Sequence, residues 1–137
     1  YIIYLLEKQI DGLPYKNIDE YYKIMENMGK DPNPDTVKLI EGIIFPLEVA
    51  CAQEIHTLLP DNWDGAGGNY LGKDWSALGA LLKALKIPEP QYVILFLRMI
   101  DSFTTRKMNE DIEKNRKRRD LKSKAPTGQS KGIEIHG

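Results

Sequence analysis

Prolines at 14, 32, 34, 46, 60, 88 and 90 cut the first ninety residues into short pieces. Each proline lacks an amide hydrogen and drives the residue before it out of the α region, so any helix must fit between them. The apolar residues between the cuts recur at spacings of three and four, which is the helical period. These two facts together predict an all-α chain of about five helices.

Tyr1 to Ile10 has apolar residues at 2, 3, 5, 6 and 10 and should form a short helix ending at Asp11-Gly12-Leu13-Pro14. Asn17 and Glu20 form the reciprocal start of a helix over 18–28, with Gly29 where a left-handed cap falls and Asp19/Glu20 suited to the helix-start field. Lys30-Asp31-Pro32-Asn33-Pro34 is a linker, after which Asp35 can cap the next helix. Val37, Ile40, Ile44, Leu47, Cys51, Ile55 and Leu58 form a single stripe across Pro46. That continuity predicts a kinked central helix, or two nearly collinear ones, ending at Leu59-Pro60.

Residues 60–74 read as a glycine-rich loop, followed by a helix capped by Asp74, starting at Trp75 and ending at Ile87-Pro88. Pro90 opens the last helix at its first position, and Val93, Phe96, Leu97, Ile100 and Phe103 line one face of it. Apolar residues then become sparse. Helical propensity stays high to about Lys124, which predicts a long C-terminal helix extending into a basic tail. Residues 125–137, APTGQSKGIEIHG, should be extended or flexible.

Within GGNYLGKD (67–74) lies G-x-x-x-x-G-K followed by Asp74, one residue from a phosphate-binding loop. In such a loop, backbone amides at a helix start cradle phosphates, a lysine neutralises them and a Ser or Thr hydroxyl holds magnesium. Asp74 would instead place a carboxylate beside the phosphates. The segment before the loop reads as helix rather than strand, and VILFLRMID (93–101) follows the helical period with Arg98 inside it. Asp74 as a helix cap and Lys73 as a solvated cation account for the same residues. A nucleotide-binding enzyme using this loop is therefore the least favoured reading.

Cys51, His56 and His136 fall short of a zinc site's three or four ligands, and Cys51 lies on the apolar stripe as a structural thiol. Asp61, Asp64, Gly65 and Gly67 lack the calcium-loop register and its terminal Glu. No catalytic constellation, metal or cofactor is expected. One cysteine excludes an internal disulfide framework. The apolar start YIIYLL has neither a basic flank nor a cleavage signal, and no stretch reaches the roughly 20 apolar residues of a membrane span. A soluble, non-secreted protein without membrane contact, cytoplasmic or within a macromolecular particle, is expected. Tyr1 in place of Met reads as a trimmed, processed or excised start.

Charge is the strongest functional signal. Residues 1–103 carry nine Lys/Arg and fifteen Asp/Glu, and residues 104–137 carry ten and five, so an acidic helical body of −6 is joined to a basic extension of +5. Lys114, Arg116, Lys117, Arg118, Arg119, Lys122 and Lys124 crowd eleven positions without an aromatic residue for base stacking. This pattern predicts a non-enzymatic interaction or assembly subunit of an oligomer or larger complex, such as a viral or other multi-subunit particle. Its basic tail would dock on an acidic protein partner or a neighbouring copy. The alternative is a nucleic-acid-binding module using the same residues. Trp63, Tyr70 and Trp75 either staple their loop to the body or anchor an interface.

Overall fold

The computed structural model describes residues 1–134, with side chains through Ser123. Its described residues form six helices and one two-stranded sheet: α1 (Ile2–Asp11), α2 (Ile18–Met28), α3 (Pro34–Glu41), α4 (Leu47–Leu58), β1 (Asp61–Trp63), β2 (Tyr70–Lys73), α5 (Leu78–Ala84) and α6 (Pro90–Glu134). The architecture is mostly helical, as the proline and apolar spacing predicts, with a small antiparallel hairpin added. No helix among the described residues is long and apolar enough to cross a membrane.

Local signals decide α2. The Asn17 side chain accepts from the Glu20 amide at 2.8 Å, and the Glu20 carboxylate accepts from the Lys16 amide at 2.8 Å rather than from Asn17 itself. At the other end Gly29 adopts φ 66°, a left-handed conformation that a Cβ would disfavour. Its amide reaches the Glu26 carbonyl and that of Lys30 reaches Met25, so two end carbonyls are satisfied. Buried Tyr21 carries the next step, since its hydroxyl accepts from the Asn33 amide at 2.8 Å and ties the linker to α2.

Of the two forms expected for the central segment, one kinked helix or two, the structure has two, α3 and α4. Asn33, not Asp35, caps α3 by accepting from the Asp35 amide at 2.9 Å, with Pro34 in the first turn. Gly42 closes α3 at φ 115°, and the chain stays non-helical until Pro46, whose carbonyl accepts the amides of Val49 and Ala50. Because residues 42–46 transmit no helical phase, the expected stripe does not continue across them. Ile44 is 100% exposed and Leu47 73%, while Val49, Ala52, Ile55 and Leu59 make up the buried face.

That face packs on α6, the spine of the molecule. Val93, Leu97 and Ile100 join Leu6 of α1 and the buried face of α4 in one core cluster, with Phe96 and Phe103 packed at its edge. The apolar face expected for the last helix is therefore the face observed. The backbone of α6 continues to Glu134, where composition predicts an extended chain from residue 125, since elongating a formed helix adds one hydrogen bond per residue fixed. Residues 135–137, including His136, lie outside the described residues.

Leu97→Ala should cost about 2–5 kcal/mol in urea unfolding, because a fully buried side chain leaves a cavity. Leu47→Ala should cost less than about 1 kcal/mol. Equal costs would restore the stripe that runs through Leu47.

Candidate functional site

Residues 60–74 are not a loop but a hairpin held against α6. Asp61 pairs with Lys73 and Trp63 with Tyr70 across an irregular antiparallel register. Asn109 of α6 acts as an extra strand residue: its carbonyl oxygen accepts from the Tyr70 amide at 2.8 Å, and its Nδ2 donates to the Tyr70 carbonyl at 3.0 Å. The Tyr70 hydroxyl donates to Asp61 at 2.8 Å, and Lys73 Nζ lies 2.9 Å from the same carboxylate oxygen. These donors hold the Asp61 carboxyl below its ordinary value, with the Lys73 bond the larger cause. Burial and then the bond to Asp61 push the Tyr70 phenol far upward, so it stays a donor.

About two turns earlier on α6, Asp101 gathers three elements. Its carboxylate accepts from the Lys73 amide at 3.1 Å and the Trp75 indole at 3.3 Å, and it pairs with His56 Nε2 of α4 at 3.1 Å. The approach is close enough to require glycine at 72. That residue has φ 95°, and an added Cβ would sit 2.8 Å from Asp101 Oδ2 and 3.3 Å from Thr105 Oγ1.

This geometry replaces the phosphate-loop resemblance with a structural use of the same letters. Lys73 lies in a strand, its amide is given to Asp101 and its side chain is only 12% exposed and ion-paired, so it is not the solvated cation expected from sequence. The amides of Ala66 and Gly68 are taken by the side chain and carbonyl of Asp64, and that of Asp64 by Asn69. Asp74 does not cap a helix at Trp75. It accepts from the amide and hydroxyl of Ser76, which hold its carboxyl below the ordinary value, and α5 begins only at Leu78.

The three aromatics divide between roles. Tyr70 is buried and Trp75 is bonded to Asp101, while Trp63 rests edge-on against Tyr70 at 4.9 Å with 47% of its surface exposed. Among the described residues no group of three His, Cys, Asp or Glu is placed to hold a metal ion. Cys51 is a half-buried free thiol.

Farther along α6, Arg106 reaches Glu7 at 3.3 Å and Asp11 at 2.9 Å on α1, and Glu110 at 3.2 Å on its own helix. Arg106 ties α6 to α1, and Asn109 ties it to the hairpin. From Glu113 through Ser123 every residue is exposed. Lys114, Arg116, Lys117, Arg118, Arg119 and Lys122 all lie on this stretch, and of these Arg116 has an ion-pair partner among the described residues, Glu113 at 3.2 Å. The Lys124 side chain lies outside the described residues. At 1.5 Å per residue the backbone from Glu113 to Glu134 extends about 32 Å.

Sequence reasoning located the cations but missed Asp101, Asn109 and Arg106. A signal for Asp101 was present: it lies four residues after Leu97 and eight after Val93, on the core face, where a carboxylate needs donors. His56, next to Ile55 on the buried face of α4, was its counterpart. No family model, curated protein or solved structure matches the chain.

Burial lowers the His56 pKa below its ordinary 6.5 and outweighs the bond to Asp101, with Lys73 lowering it further and Asp61 opposing. On acidification the unfolded chain therefore takes up this proton first. The contribution is complete above about pH 6.5 and is lost as pH falls toward the lower folded value. Urea unfolding should show stability declining as pH falls below about 6.5. His56→Gln, which keeps a donor and cannot titrate, should flatten that decline, and an unchanged slope would assign it to other groups.

Proposed function

We propose that this protein is a non-enzymatic interaction or assembly subunit that docks the cationic end of α6 on an acidic protein partner. The observation carrying this reading is the uncovered stretch from Glu113 to Ser123, where six cationic side chains face solvent on a helix that has left the body. Lys114 and Arg118, and Arg118 and Lys122, are like charges four apart, while Lys114/Lys117, Arg116/Arg119 and Arg119/Lys122 are three apart. Each such pair costs an isolated helix roughly 0.2–0.5 kcal/mol. An anionic surface alongside removes that repulsion and converts it into affinity.

A protein patch suits this helix better than a long polyanion. The body behind the extension carries −6, so a nucleic acid running past the helix would meet repulsion from residues 1–103. A compact acidic patch would not. The stretch also offers no aromatic ring on which a base could stack.

Retention of the full chain on immobilised poly-glutamate should fall steeply with salt. It should be lost when Lys114, Arg116, Lys117, Arg118, Arg119 and Lys122 are replaced by Gln. Retention of that variant equal to wild type would overturn the reading. Tighter binding to mixed-sequence duplex DNA than to poly-glutamate at equal ionic strength would replace it with nucleic-acid binding through the same helix.

A further inference from the structure

The acidity of the body is concentrated. Between residues 41 and 74 stand Glu41, Glu48, Glu54, Asp61, Asp64 and Asp74 against the single cation Lys73, so this segment holds −5 of the body's −6. Asp61 is neutralised by Lys73, and Asp74 is bonded to Ser76. Glu48 has no hydrogen bond or ion pair among the described residues, and neither does Glu89 just ahead of α6.

These two glutamates line one feature. Where the start of α4 meets the α5–α6 connection, a cleft of about 50 Å³ is walled by Leu47, Cys51, Ile87 and Val93, with Glu48 and Glu89 among its lining residues. Helix-start electrostatics accounts for each glutamate singly, since each stands at the beginning of a helix. It does not account for both lining one apolar notch whose wall residue Leu47 is 73% exposed. An apolar slot with carboxylates beside it matches an arginine or lysine, whose methylene stem is apolar and whose head is charged.

The chain cannot fill this notch from its own extension. Val93 lines the notch and Lys114 lies 21 residues later on the same continuous helix, about 32 Å away along the axis. That is several times the length of a lysine side chain. The two halves of a complementary contact thus stand on one molecule and are held apart by the helix that carries them.

We propose that the notch formed by Leu47, Cys51, Ile87 and Val93, with Glu48 and Glu89 beside it, receives cationic side chains from the α6 extension of a second copy, joining copies head to tail. The proposal rests on the docking role given to α6 above and adds the identity of its partner. Because donor and acceptor surfaces differ, the contact is heterologous, and successive copies form a ring or an open filament.

Sedimentation velocity over a wide concentration range tests this with two variants, one with Glu48→Lys and Glu89→Lys in the notch and one with Arg118→Glu and Arg119→Glu in the extension. Glu89, Arg118 and Arg119 are exposed and Glu48 is partly buried, and circular dichroism establishes that both variants fold. The milder Glu48→Gln, Glu89→Gln pair serves if the lysine pair does not. Nuclease-treated wild type should associate with rising concentration and dissociate with salt, and each variant alone should associate about tenfold or more weakly. Mixed together, the notch variant still has a working extension and the extension variant a working notch, so they should form a one-to-one complex that does not grow. A wild type that stays monomeric, or a notch variant that assembles as wild type does, would overturn the proposal. If poly-glutamate retention by the extension persists in that case, only the self-docking fails; if retention is absent as well, the docking role of α6 fails with it.

Discussion

Asp101 places one carboxylate on the core face of a helix otherwise lined by Val93, Leu97 and Ile100, and much of the arrangement around α6 follows from satisfying it. A carboxylate so placed is costly unless donors surround it. The chain supplies them from three places: the imidazole of α4, the Lys73 amide of the hairpin and the indole of Trp75. Each donor brings its element into fixed relation with α6. The hairpin thereby closes over the side of the spine, and Gly72 provides the clearance for it.

What the hub does for the hairpin, Arg106 does for α1. Its guanidinium spans Glu7 and Asp11, so the first and last helices are clamped one and a half turns beyond Asp101. Past Asn109 no such tie recurs on the way to Glu113, where the body ends and exposure begins. A helix clamped as far as Asn109 and exposed from Glu113 through Ser123 holds its cations at a distance set by rise per residue. Segregated charge in the sequence becomes, through this helix, charge held away from the acidic body.

The parts of the fold legible in the sequence are those decided within a few residues. Asn17, Glu20 and Gly29 mark α2 because capping bonds span three or four positions, and the α6 face shows in its own period. The hairpin was not legible. Its strands have three and four residues, and their placement depends on Asn109 and Asp101, 39 and 28 positions away. The phase of α4 was hidden for a related reason: Gly42 to Pro46 uncouples two segments whose apolar residues happen to keep step. Of the candidate site, the cations were plain from composition, whereas the uncovered helix that presents them follows from the clamps at Asp101, Arg106 and Asn109.

Everything proposed for α6 requires its cationic end to stand clear of the acidic body in the isolated molecule. The most direct measurement is a spin–spin distance between labels at Arg98 and Asp120, both exposed on α6, in a Cys51→Ser background, taken on dilute protein at high salt. A continuous helix gives a narrow distribution centred near 33 Å before the length of the label arms is added. A short, broad distribution would mean that the extension folds back on its own body, and would contradict the account.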